Sequence, residues 1–517
     1  MEAPERTDSA GPAAASARPS YWLTRFVMLR VLGLVYFVAF LVAALQVKPL
    51  LGHDGLLPVD LWMSQVESVL GSRGDAFLRA PSLFWLHASD AWLVSFAWVG
   101  VALSLVVACG YASSILLFVL WALYMSYVHV GQDWYGFGWE IQLLETGFLA
   151  IFLVPLLDGR PFPRRAPPVV VIWLMRWLIA RIMLGAGLIK LRGDPCWRDL
   201  TCLDYHYETQ PIPNPFSRTL HFMPHWFSAA GVLWNHVTEL LSPWLMICGR
   251  RARLVGGAIM LSLQVMLIGS GNLSFLNYLT IVPILACFDD RLLARVLPRR
   301  LVARAQRAAA EAQPSRAQHG ISIALAVVVG MLSIAPVANL LSGHQVMNTS
   351  FEPFDLVNTY GAFGSVGKER LEVIMEGTSD ESPDASAHWV PYEFKAKPGD
   401  PLRRPPIISP YHLRLDWMIW FAAMSGPDEH PWLVHLAWKL LHGDHRITRL
   451  LAGDPFPDAP PRFIRIELYR YRFARPGNAE GAWWERERVG EWLPPIAADD
   501  ERVRGFLTER GLLRDHD

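Results

Sequence analysis

"FVMLRVLGLVYFVAFLVAALQV", Phe26–Val47, is a run of 22 residues with one charged side chain. About 20 apolar residues in a helix suffice to cross the hydrocarbon core of a bilayer. No small-residue cleavage site closes the run, and the chain continues into Lys48-Pro49. It reads as an uncleaved signal-anchor helix and not as a removable signal. Residues 1–20 before it are rich in Ala, Ser and Pro and read as a disordered arm.

Eight later stretches share its character: Trp92–Cys109, Ser113–Val130, Leu143–Leu157, Val169–Ile189, Phe227–Cys248, Leu254–Ser270, Leu273–Phe288 and Ile321–Leu341. About nine spans are therefore expected between residues 21 and 342, with a polar loop at 190–226. Lys and Arg favour the cytoplasmic loops of such proteins. With a cytoplasmic N-terminus, these loops carry Arg160, Arg164 and Arg165, then Arg250, Arg251 and Arg253, then seven arginines between Arg291 and Arg316. The polar loop and everything after Leu341 then lie on the non-cytoplasmic side. An oxidising compartment there permits a Cys196–Cys202 bridge, two reduced thiols being the alternative.

Lys+Arg and Asp+Glu both number 47. The zero net charge gives no field for nucleic acid, and none is expected as a partner. Several polar groups interrupt the apolar runs: Glu140 and Glu145, Arg176 and Arg181, Lys190, and His236 with Glu239. Such groups usually face a bundle interior or a water-filled cavity. Structural pairing of Arg176 or Arg181 with a carboxylate is one reading, and a working site the other. Lys190, at a helix end, is expected to snorkel to the interface.

The last part, 343–517, changes character. Leu371–Met375, Trp389–Phe394 and Ile464–Phe473 are strand-like, and "FIRIELYRYRF" alternates with period two. Leu415–Met424 and Trp432–Leu441 read as short amphipathic helices. The fold class expected is a polytopic α-helical membrane domain followed by a β-rich, sandwich-like soluble domain. No P-loop, dinucleotide fingerprint, nucleophile elbow or zinc spacing occurs, and no metal or cofactor is expected. "GAFGSVG", Gly361–Gly367, lacks the Lys-Ser/Thr of a phosphate loop and reads as turns.

Six blocks carry a resemblance. They are "YWLTRFVMLRVLGLVYFVAFLVA", "PLLGHDGLLP", "GLIKLRGDPCWRDLTCLDYHYETQPIPNP", "GNLSFLNYLTIVPILACFDD", "VNTYGAFGSVGKERLEVIMEGT" and "YEFKAKPGDPLRRPPIISPYHLRLDWMIWFAA". From Tyr21 to Arg472 the chain resembles the lipase maturation factor family. The resemblance implies a multi-pass protein of the endoplasmic reticulum membrane, needed in animals for homodimeric lipases to reach active, secreted form. Its Ala/Arg/Pro-rich arms point to a GC-rich bacterial genome. The cytoplasmic membrane would then be its place, with the soluble domain periplasmic and vascular lipases excluded as clients.

"GAGLIKLRGDPCW", Gly185–Trp197, is also distantly similar to a turn in the membrane domain of vitamin K-dependent carboxylases. That resemblance implies a catalytic base at Lys190. Two functions follow. The first is a chaperone-like scaffold in the lipid bilayer that holds a secreted lipase-type client, with Tyr205, His206, Tyr207, Trp226, Tyr411, His412 and Trp417 as the client surface or, alternatively, as interdomain packing. The second is a membrane enzyme for a lipid or quinone-like substrate, with Lys190 as base and His236, Glu239, Glu140 or Glu145 as acid or orienting groups. The second requires Lys190, His236 and Glu140 to line one pocket.

Overall fold

The computed structural model describes residues 20–514, so the expected arm at 1–19 lies outside the described residues. Among the described residues, five helices are long and apolar enough to cross a membrane: Trp22–Leu51, Asp90–Cys109, Val169–Arg192, Arg250–Ser270 and Arg316–Leu341. Ser114–Val130 and Leu276–Cys287 are shorter apolar helices. At 1.5 Å per residue, the 17 residues of Ser114–Val130 reach roughly 25 Å. Three of the nine stretches differ from expectation, Leu273–Phe288 among them, since it yields only the helix Leu276–Ile284 and a 3₁₀ turn at Leu285–Cys287. Leu143–Leu157 contributes only to the 14-residue helix Gly138–Ile151, ending ahead of Pro155. Phe227–Cys248 is not one helix: His225–His236 gives way to a π turn at Val237–Leu241 and a 3₁₀ segment at Ser242–Met246. Pro243 causes the break, because it has no N–H to give the Glu239 carbonyl one turn back.

The arginine-rich loops gather at one end of the bundle. Asp290 accepts from Trp22 N and Leu23 N, both at 2.8 Å, and so caps the opening helix from 268 and 267 residues away. Asp289 holds Arg250 at 2.7 Å and Arg253 at 2.9 Å. Arg25 donates to the Arg165 carbonyl, and Arg164 meets Glu311 at 3.5 Å. The soluble part sits at the opposite end, where Gln46 Nε2 donates to the His412 carbonyl at 2.7 Å.

Four strands form one antiparallel sheet in the order β2-β1-β3-β4: β1 Arg370–Thr378, β2 Val390–Pro391, β3 Phe463–Phe473 and β4 Trp484–Ala497. β1 runs from Arg370 opposite Tyr471 to Thr378 opposite Phe463. The layer packed on the sheet is helical, from Arg414–Ala422 and Pro431–Leu441, so a second sheet is not needed to cover its apolar face. No second sheet, as a sandwich requires, occurs among the described residues. β4 is an edge strand whose middle, "ERERVGE", is exposed apart from half-buried Gly490. One hydrophobic cluster runs from Tyr21 to Leu513 through both halves.

Candidate functional site

Lys190 closes the Val169–Arg192 helix, and Gly187 lets that helix approach the π turn. A Cβ on Gly187 would lie 2.6 Å from Leu240 Cδ2 and 3.0 Å from Glu239 Cβ. The close approach buries Lys190 instead of letting it snorkel. Its Nζ donates to Glu239 Oε1 at 2.5 Å and to Asn235 Oδ1 at 3.2 Å, and it sits 4.9 Å from the Trp197 ring centroid. Asn235 Nδ2 donates to Glu239 Oε2 at 2.9 Å. The ammonium thus has two acceptors and an aromatic face, which together offset its desolvation. His236 lies beside this cluster but points elsewhere, its Nε2 donating to the Trp197 carbonyl at 3.0 Å.

Glu145 belongs to a second buried group. Arg181 binds it, as structural pairing anticipates. Tyr360 Oη donates to Glu145 Oε2 at 2.7 Å, Asn358 N does so at 3.0 Å, and Arg181 Nη1 reaches the Asn358 carbonyl at 2.7 Å. Arg176 instead donates to the Ala286 carbonyl at 2.9 Å and to Tyr21 Oη at 2.8 Å. Glu140 anchors a third group. It accepts from Arg414 Nη1 at 2.9 Å, from Trp139 Nε1 at 3.1 Å and from the Tyr124 hydroxyl. The Arg414 guanidinium lies 3.6 Å from the Tyr135 ring centroid and also donates to the Trp134 carbonyl.

The five residues of the enzyme reading therefore do not converge. Lys190, Glu239 and His236 are neighbours, whereas Glu140 and Glu145 each hold a different arginine. A cavity of about 440 Å³ lies elsewhere, lined by Arg79, Val128, His129 and the 350–355 loop. Each carboxylate of the second and third groups ties a membrane-half helix to a residue beyond 340. A buried ion pair adds little net stability but penalises any misaligned docking, because a displaced partner leaves a charge unpaired.

The proposed client residues divide by exposure. Trp226 is 68% exposed, and Tyr205 and Tyr411 are half-buried. His206, Tyr207, His412 and Trp417 are buried, so they are packing and not open surface. Trp139 stacks edge-on against His412 and Trp417, with ring centroids 5.3 and 5.1 Å away. His206 packs against Phe363 at 4.8 Å, and burial with the nearby Lys190 charge pushes its imidazole down to about 4. Cys196 and Cys202 form a disulfide that packs with Trp197, Val232 and Val366.

Sequence reasoning missed the residues on the other side of these contacts. Arg370 Nη1 donates to the carbonyls of Glu208 and Gln210 at 2.9 and 2.5 Å, and its Nη2 to that of Pro211 at 2.9 Å, clamping the connector to β1. Asn272 Nδ2 bridges the Pro213 and Pro406 carbonyls at 3.1 and 2.8 Å. "GAFGSVG" forms turns that meet the connector: Trp197 Nε1 donates to the Phe363 carbonyl at 2.8 Å, and Asp194 N to that of Gly364 at 2.9 Å. The available signal was an arginine inside an apolar run, as in "LRLDWMIW".

Two family models match the chain. The lipase maturation factor transmembrane domain covers residues 23–295, and the lipase maturation factor C-terminal domain covers 356–494. Lipase maturation factor 1 of Bos taurus is 50% identical over 527 residues, spanning 97% of this chain and 94% of the relative. The Homo sapiens protein of that name is 48% identical over 97% of this chain and 93% of its own. Lipase maturation factor 2 of Homo sapiens is 28% identical over 95% of this chain and 85% of the relative. No solved structure matches. The two matched regions meet at the Glu140–Arg414 contact and at the clamp of Arg370 on the connector; by the two family models and by 48–50% identity across 97% of its length, the chain belongs to the lipase maturation factor family.

Proposed function

We infer that this membrane protein serves lipase maturation as a scaffold, its helices holding a soluble domain on the non-cytoplasmic side where a secreted lipase-type client is met. The observation that carries the reading is similarity to lipase maturation factor 1 across 97% of the chain. The clustering of the arginine-rich loops at the end opposite the soluble domain favours a cytoplasmic N-terminus. Trp226, with Tyr205 and Tyr411 less exposed, is the remaining client-facing part of the aromatic set. Chemistry at Lys190 has no support in the geometry, since its ammonium is held by Glu239 and Asn235.

The test is complementation of cells lacking their own lipase maturation factor. Expression of this chain is expected to raise the activity of secreted lipase per unit of lipase protein. Unchanged lipase activity with the chain present at normal level in the membrane would sink the reading. Lys190→Met with Glu239→Leu removes both charges together. The double variant is expected to mature lipase in proportion to its own abundance, whereas loss of activity at full abundance would restore the case for a lysine base.

A further inference from the structure

At the end of the bundle opposite the soluble domain, Arg299–Ala310 forms an amphipathic helix. Ala305 and Ala308 are buried against Trp22 and Leu23, while Arg299, Arg300, Arg304 and Arg307 are exposed. A stack of rings and cations lies beside it. Arg30 sits 3.1 Å over the Phe26 ring, and Phe26 stacks on Phe162 with centroids 4.8 Å apart and planes within 1°. Arg304 lies 5.7 Å from the Phe162 centroid on this stack.

The acidic groups near this patch are committed elsewhere. Asp158 pairs with Arg160, Glu311 with Arg164, and Asp289 with Arg250 and Arg253, while Asp290 caps the opening helix. Among the described residues, Arg30, Arg299, Arg300, Arg304 and Arg307 have no carboxylate within 4.0 Å. Arg30 spends two of its N–H groups on the Phe26 and Gly110 carbonyls and so stiffens the stack, while the exposed guanidiniums of Arg299, Arg300, Arg304 and Arg307 match phosphate oxygens in pairs.

The level of the patch identifies the anion's source. The last apolar helix begins at Arg316, six residues after this helix ends, and the first begins at Trp22, against which the helix packs. Leu156, Leu157 and Val296, exposed by 64%, 77% and 76%, lie at the same end and mark a lipid boundary. We propose that the exposed arginines of the Arg299–Ala310 helix, with Arg304 steadied on the Phe26–Phe162 ring stack, form a binding site for the phosphate headgroup of an anionic phospholipid in the adjoining leaflet. Clustered basic residues beside a span are the usual device for such recognition.

The test uses the purified full chain in detergent micelles doped with dansyl-labelled phosphatidylserine or phosphatidylcholine, reading energy transfer from tryptophan. Phosphatidylserine is expected to saturate transfer at least about tenfold earlier. Each arginine removed is expected to cost about fivefold in apparent affinity. The variant R299Q/R300Q/R304Q/R307Q is therefore expected to lose the preference while keeping the wild-type thermal transition. A folded quadruple variant that retains the preference overturns the proposal. Should it not fold, the wild-type chain decides alone: the preference must shrink as salt rises from about 50 to about 300 mM. A salt-independent preference, or its abolition by millimolar inorganic phosphate but not by chloride of equal ionic strength, also overturns the lipid site, the latter assigning it to a soluble anion.

Discussion

At the scale of single residues, the chain stakes much on a few buried charges. Arg414 is 1% exposed and Glu140 0%, and each is the other's counter-ion. Arg414→Met leaves the carboxylate unpaired in an apolar site, a loss of about 3–5 kcal/mol. Adding Glu140→Leu removes the stranded charge and is expected to recover a large part, read as the thermal transition of the detergent-solubilised chain. Asp355 makes the opposite case. Burial, reinforced by the Glu352 charge, pushes its carboxyl up to about 7. The folded chain therefore keeps a proton that the unfolded chain releases between pH 4 and 7, and stability from this group falls as pH rises through that window. Each tenfold in proton affinity is worth about 1.4 kcal/mol, so the cost above pH 7 is on the order of 4 kcal/mol. Asn suits the left-handed backbone at this position, where φ is 53°. Asp355→Asn is expected to raise the melting temperature at pH 8 and to leave it nearly unchanged at pH 4; equal gains at both would exclude this origin.

At the scale of elements, legibility followed local signals. The opening helix and the β3 alternation were readable because length and period are set by neighbouring residues. The Phe227–Cys248 stretch was not, because its average hydropathy hides what Pro243 does to one carbonyl. β4 escaped notice because "WERERVGEWLPPIA" has an exposed, charged middle and two prolines, the look of a loop. The counter-ions of Glu140 and Glu145 were partly hidden for another reason: Arg414 lies 274 residues from Glu140, a distance no periodicity bridges. The π turn offers its own test. Gly187→Val drives a side chain into Leu240 and Glu239, an overpacking cost of about 1–3 kcal/mol. The destabilisation is expected to be smaller when Leu240→Ala is added, measured in the same thermal assay. Strictly additive effects would show that the helix and the turn do not touch through these atoms.

At the scale of the whole molecule, the two halves share one core. Because the cluster from Tyr21 to Leu513 crosses between them, the stretch after residue 342 is expected not to fold by itself. Expressed alone, 343–514 should bind an apolar dye and melt without a sharp transition, while the complete chain melts cooperatively in detergent. A sharp transition from the fragment would refute this dependence. The polar rim of β4 has a consequence of a different kind. On the scaffold reading proposed above, this chain would meet the unpaired strands of half-made secretory enzymes, and a bare sheet margin would pair with them. The alternating acid and base along Glu485–Arg488 makes that margin a poor template for backbone pairing. On that reading, the charged margin keeps the scaffold from becoming part of what it handles.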